Sequence, residues 1–309
     1  MNNRRFEVGD RVRLREPEQI LATLDHQGTL DGVPFMPEML DGYGKSFRVR
    51  NRVEKTCVDG DMVRHFPGDD VLILDGPRCD GSAHDGCKHA CRIFWKEAWL
   101  QSAGTDTRVA EATTEALAKL KSRLKTQSDA QHYFCQSTEL FDATRPFAGS
   151  RRGLTARIAL REIRNGDLSV FRFARLLVRW IRNEMLDRWL SGPNRKTPSV
   201  SLGLQPGDRV RIKSRAEVAK TLNPKGRNRG MGISWETTRC CGRVAEVDRR
   251  VDRLIDERTG QMHEIANTVA LKNIGGDKRL GEECMCAHQL GDCPRGEHMY
   301  WREIWLERL

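Results

Sequence analysis

The strongest constraint on this chain is that it contains the same segment twice. Gly9-Asp10-Arg11-Val12-Arg13-Leu14 returns as Gly207-Asp208-Arg209-Val210-Arg211-Ile212, at an offset of 198 residues. That offset holds without a gap through Thr23-Leu24 and Thr221-Leu222, Gly28 and Gly226, Gly32 and Gly230, Glu38 and Glu236, to Arg52-Val53 and Arg250-Val251. The match resumes at an offset of 206, where Phe94-Trp95-Lys96-Glu97-Ala98-Trp99-Leu100 meets Tyr300-Trp301-Arg302-Glu303-Ile304-Trp305-Leu306 and Cys87 meets Cys293. The eight extra residues of the second copy fall around 280–291. A register kept this long points to duplication, and a unit that fits twice into 309 residues has to be small.

Each copy reads mainly as β. Val12 and Leu14 alternate with charged residues after a Gly-Asp turn, the pattern of a half-buried strand. Residues 47–50 and 244–247 give a second strand, 71–74 and 268–271 another, and 18–24 and 217–222 are expected to form a helical turn or two. The segment between the copies differs. Residues 107–125 have helical composition, 154–163 suggest a second helix, and 168–190 carry apolar residues at helical spacing after a possible cap at Ser169. The expected fold class is therefore α+β: an N-terminal module over 1–104, a helical connector over 105–200 and a C-terminal module over 201–309.

The Gly-Asp-x-Val opening followed by short strands resembles the SH3-like barrels of bacterial proteins, which implies two small barrel modules and no particular function. The phrase Cys79-Asp80-Gly81-Ser82-Ala83-His84, continued through Cys87 and Cys91 to Phe94-Trp95-Lys96-Glu97-Ala98-Trp99-Leu100, is similar to a bacterial protein family to which no activity attaches. The phrase Cys79 to Ser82 also resembles the CDGSH-type iron–sulfur proteins. It lacks their upstream Cys-x-Cys, and His84 lies one residue late, so that cluster is not carried over.

Ten cysteines are many for a reducing compartment, where clustered thiols more often bind metal than form disulfides. In the first copy Cys79, Cys87 and Cys91 share one loop with His84 and His89, and Gly81 and Gly86 let its backbone curl around an ion. Cys135 is placed to fold back as a further ligand, while Cys57, replaced by Ile255 in the second copy, reads as a core residue. The second copy offers Cys241, Cys284, Cys286 and Cys293, with Cys240 as a bystander and His288 nearby. Thiolate and imidazole ligands suit zinc, with an iron–sulfur cluster as the second choice.

The pairs Trp95/Trp99 and Trp301/Trp305 lie four apart and would share one face of a helix, either as core or as a platform for a ligand or peptide. Glu97 and Glu303, between them, read as salt-bridge or exposed helix positions rather than as general bases. A net charge of +10 favours an acidic protein or another polyanion as partner, nucleic acid among them. No apolar run reaches the ~18–20 residues of a membrane span, and the basic N-terminus has no apolar stretch behind it, so the expected address is the cytoplasm. No nucleotide-binding loop or nucleophile elbow is present, and no catalytic residue can be named. The expectation is a metal-binding, tandem-repeat adaptor for an acidic partner. The alternatives are an iron–sulfur or thiol-dependent enzyme or redox accessory, and a nucleic-acid-binding protein.

Overall fold

The computed structural model describes residues 5–53, 55–58, 62–104, 114–146, 160–164, 169–171, 173–175, 177–178, 190–233, 235–276, 294–296 and 298–309. Small antiparallel sheets dominate and the helices are short, as an α+β chain requires. The first copy supplies strands β1 (Arg11–Leu14), β2 (Ser46–Arg52), β3 (Val71–Arg78), β4 (Arg92–Lys96) and β5 (Leu100–Ser102), in the sheet order β4-β3-β2-β1-β5. The second supplies β6 (Arg209–Ile212), β7 (Val244–Arg250), β8 (Thr268–Lys272), β9 (Tyr300–Arg302) and β10 (Leu306–Arg308), in the order β9-β8-β7-β6-β10.

The registers agree as well as the order. Val12 sits opposite Phe47 as Val210 sits opposite Ala245, and Leu14 opposite Leu100 as Ile212 opposite Leu306. Both sheets carry an irregularity at the same place, between Val49 and Asn51 in one and between Val247 and Arg249 in the other. Such a bulge bends its strand and sharpens the local twist, so each sheet curls over its apolar face. The alternation in β1 and β6 sends Val12, Leu14, Val210 and Ile212 into that face and the intervening arginines outward.

The tryptophan strip is not helical. Trp95 lies in β4 opposite Leu72, and Trp301 in β9 opposite Val269. Only Glu97–Trp99 and Glu303–Trp305 turn, each as a single 3-10 turn that leads directly into the next strand. Cross-strand pairing therefore overrides the four-residue spacing. The Glu97 and Glu303 amides lock the corners by donating to the carbonyls of Asp70 and Asn267.

Short helices α1 (Pro17–Leu21) and α4 (Arg215–Ala219) follow the first strand of each copy. The second is held by a capping box between Ser214 and Glu217, whereas α1 begins at Pro17 without a side-chain cap. The connector is only partly helical where it is described. Helix α2 (Thr114–Lys121) lies inside the expected span, but it is followed by a hairpin of Gln127–Asp129 with His132–Tyr133, helix α3 (Leu140–Ala143) and a strand, Arg145–Pro146, paired with Met62–His65. Leu120, Cys135, Leu140 and Ala143 enter the core of the first sheet. Helical composition records backbone preference but not which surface an apolar side chain covers, so the sequence marks a helical connector without showing which residues enter the core of the first sheet. The expected helices at 154–163 and 168–190 fall largely outside the described residues; residues 160–164 and several positions from 170 to 178 are helical.

By contacts the chain divides into one unit of Met1–Phe173 with Ile255–His263, and another of Ala174–Leu254 with Glu264–Leu309. Among the described residues no helix is long and apolar enough to cross a membrane.

Candidate metal centre

The loop from Cys79 to Cys91 joins β3 to β4. The Cys79 amide donates to the Cys91 carbonyl at 2.9 Å, which extends the ladder by one step and brings both ends of the loop together. Beyond it the chain turns tightly: the amides of His84 and Gly86 both donate to the Gly81 carbonyl, and that of Cys87 to the His84 carbonyl. Gly81 has φ +74°, and a Cβ there would stand 2.2 Å from the Cys87 carbonyl oxygen, so this turn requires glycine.

These turns drive His84 inward. Its side chain is 1 % exposed, with Nδ1 2.6 Å from Glu38 Oε1 and Nε2 3.2 Å from the Phe134 carbonyl oxygen. A carbonyl and a carboxylate both accept, so Nε2 and Nδ1 each carry a proton here, and a cation would have to displace the Nδ1 proton that faces Glu38. The Cys79 thiol reaches the same Glu38 oxygen at 3.6 Å. One ligand atom each from Glu38, Cys79 and His84 lies within 4.8 Å of the others. Glu38 comes from the 3-10 stretch Pro37–Gly42, and its second oxygen, Oε2, is buried without a hydrogen-bond partner.

The electrostatics of this trio are strongly coupled. Burial pushes the Glu38 carboxyl up, but the hydrogen bond and charge of His84 outweigh it and hold the group below its ordinary value. Burial likewise pulls the imidazole down, and the Glu38 hydrogen bond and charge and the Phe134 carbonyl raise it above its ordinary value. The Cys79 thiol is driven far up, first by burial and then by the charges of Glu38 and Cys91, against the opposing amide of Gly81. That is the reverse of an activated nucleophile, which needs a depressed pKa.

The other expected ligands of the first copy, Cys87, Cys91 and Cys135, are not part of this compact group. Cys135 is buried and pushed up to about 11 by desolvation, although the amides of Thr138 and Ser137 reach its sulfur and favour the thiolate. Burial also raises Cys87, and here the His89 amide opposes it. Cys91 is half-buried, with Sγ 3.4 Å from Ser137 Oγ. The charges of Cys91 and Cys135 both reach Cys79. His89 is turned elsewhere, its Nε2 3.1 Å from the Ile255 carbonyl oxygen. Cys57 is buried in the Thr56–Val58 strand.

In the second copy Cys240 is enclosed in the core, and Cys241 beside it is half-buried and raised by desolvation. No compact group of ligand atoms among the described residues includes Cys241. Cys284, Cys286 and Cys293, with His288, lie outside the described residues.

All four expected binding tryptophans are enclosed. The indole N–H of Trp99 donates to Thr23 Oγ1 at 3.1 Å and that of Trp305 to Thr221 Oγ1 at 2.9 Å. Trp95 stacks on Phe47 and forms a wall of a cleft of about 220 Å³ that also borders Glu38, Arg78 and Asp80. Glu97 is buried, not exposed: it pairs with Arg52 at 2.6 Å, and Glu303 pairs with Arg250 at 3.1 Å.

A carboxylate, an imidazole and a thiolate form a donor set that zinc accepts, and the Phe134 carbonyl supplies the outer hydrogen bond that fixes a metal-ligating histidine. With a single sulfur the trio is a poor match for the four thiolates of most iron–sulfur clusters. Glu38 is the residue that sequence reasoning overlooked. Its one signal is that this acid recurs as Glu236 at the 198-residue offset. No protein-family model, curated protein or solved structure matches this chain, so the trio's geometry carries the functional reading.

Proposed function

We propose that the first copy binds zinc through Glu38, Cys79 and His84, with Cys91 or Cys135 completing the shell, and that the metal secures the loop of a tandem SH3-like binding protein that recognises an acidic partner. The observation that carries this reading is the double tethering of His84, with Nε2 on a backbone carbonyl and Nδ1 on a buried carboxylate beside a thiol. For the trio alone the charge is conserved: carboxylate, imidazolium and neutral thiol sum to zero, as do a divalent cation, carboxylate, neutral imidazole and thiolate, and a further cysteine thiolate would leave the closed site with one negative charge. When bound, zinc would supply a fixed crosslink between the 3-10 stretch and the cysteine loop. The net charge of +10 supports the choice of an acidic partner.

The test is metal content together with a visible spectrum on protein purified without oxygen. The expected result is a colourless protein whose zinc content falls in His84→Ala and Glu38→Gln and is unchanged in Cys241→Ser. Iron with sulfide and a charge-transfer band would replace zinc by a cluster, and a metal-free, fully folded protein would refute the reading.

A further inference from the structure

The two copies treat one buried cation in opposite ways. In the first, Lys96 at the end of β4 is 1 % exposed, and its ammonium is held by Asp31 at 2.7 Å and Asp70 at 2.8 Å. In the second, Arg302 takes that place at the end of β9, opposite Thr268 as Lys96 is opposite Val71. The residue before each strand partner is Asp70 in one copy and Asn267 in the other. Asp31 occupies a left-handed turn position, φ 52°, just before Gly32; its counterpart before Gly230 is Arg229, φ 46°. One carboxylate has become an amide and the other a second cation, on an unchanged backbone.

Arg302 is 8 % exposed and has no ion-pair partner among the described residues. Its Nη1 donates to the Ala266 carbonyl and to Thr268 Oγ1, and its Nη2 to the Arg229 carbonyl. The Nε–H is buried with no acceptor. Burial, and then the charge of Arg229, lowers the pKa of the guanidinium. Thr197 Oγ1 accepts from the Arg229 backbone amide, and Ser199 Oγ accepts from Asn267 Nδ2. A buried guanidinium beside a like charge is unfavourable until an anion compensates it, and arginine's planar fork matches the oxygens of phosphate.

We propose that Arg302 and Arg229 form a binding site for a phosphate-type oxyanion, which takes the part that the Asp31 and Asp70 carboxylates play for Lys96 in the first copy. The site is independent of the metal centre. The test is thermal unfolding of the full chain titrated with inorganic phosphate against chloride at matched ionic strength, in the native protein, Arg229→Asp and Arg209→Asp. Phosphate should raise the melting temperature of the native protein in a saturable way. Arg229→Asp, which restores an internal carboxylate at a position where the first copy already carries aspartate, should melt higher without phosphate. It should also bind phosphate roughly tenfold or more weakly, the scale of one lost charge-assisted contact. Arg209→Asp removes the same charge from an exposed strand position and should respond as the native protein does. A native protein indifferent to phosphate, or a response lost equally in both variants, overturns the site. Repeating the titration with a short oligonucleotide identifies the source: tighter binding than inorganic phosphate marks a phosphodiester backbone, weaker binding the free ion.

Discussion

The first and second sheets agree in what holds them up and differ in what their loops carry. In both, an arginine of the second strand pairs with the glutamate of the 3-10 turn and also reaches a carbonyl of the N-terminal segment: Arg52 with Glu97 and the Phe6 carbonyl, Arg250 with Glu303 and the Leu204 carbonyl. In both, a buried tryptophan donates to the threonine that follows the short helix, Trp99 to Thr23 and Trp305 to Thr221. Asp10 and Asp208 accept from the amides of Glu7 and Gln205 in matching turns. The differences fall where the frame leaves side chains free to change. The first copy aims His84 at Glu38; the second exchanges the aspartates around a buried cation for Arg229 and Asn267. A frame shared this closely constrains strand order and leaves chemistry to the connections.

Mutations can break or sharpen this comparison. The largest expected effect is at the Glu38–Cys79–His84 trio. His84→Ala leaves Glu38 buried without its partner and, on the proposed function, removes a ligand, so the first sheet should lose about 3–5 kcal/mol, the usual cost of breaking a buried pair. Hydrogen exchange should rise across β1–β5 but not across β6–β10, and a chelator that destabilises the native protein should have no further effect on β1–β5 in the variant. Equal loss in both sheets would remove the distinction. Trp99→Ala and Trp305→Ala should each cost about 3–5 kcal/mol, with similar losses in denaturant unfolding, because both side chains are enclosed and use the same hydrogen bond. A large disparity would show that the two cores are not equivalent.

The arginines paired with Glu97 and Glu303 should separate the copies. The Arg52 side chain is 1 % exposed and that of Arg250 is 35 % exposed. Arg52→Ala should therefore cost about 3 kcal/mol or more. Arg250→Ala should cost about 1–2 kcal/mol, since Glu303 keeps the amides of Leu202 and Gly203. The reverse order in urea titrations would contradict the burial argument.

The smallest effect is on acid sensitivity. Asp25 accepts from the amides of Gln27 and Thr29 and from the Thr29 hydroxyl, and Asn223 accepts from the amides of Lys225 and Arg227 at the matching turn. Desolvation pushes Asp25 up, but these bonds outweigh it and leave the carboxyl below its ordinary value. A group with a depressed folded pKa stabilises above its unfolded pKa, and that contribution fades as pH falls through the folded value. Asp25→Asn should flatten the acid dependence of the first sheet's stability below the ordinary carboxylate range, measured by urea unfolding at neutral and acidic pH. The turn at Asn223 should show no such dependence.

Much of the frame was legible in the sequence because its signals are local. The Gly-Asp opening, the alternation at Val12 and Leu14, and the repeat at 198 residues depend on neighbours or on simple recurrence, and they mark the strands that now form two sheets of the same order. The glycines of the cysteine loop announced its tight turns in the same way. What the sequence left open depends on residues distant along the chain. Glu38 and His84 are 46 positions apart, and only the closing of β2, β3 and β4 brings a 3-10 stretch against that loop. The Phe134 carbonyl reaches His84 because the segment after α2 packs on the first sheet, which its helical composition did not reveal. The tryptophan strip followed strand pairing rather than its spacing, since hydrogen bonds to β3 and β8 decide the backbone there. The exchange of two aspartates for Arg229 and Asn267 is written in the sequence, but only the tertiary structure, by burying the Arg302 guanidinium against the Arg229 carbonyl and Thr268, shows what the exchange surrounds.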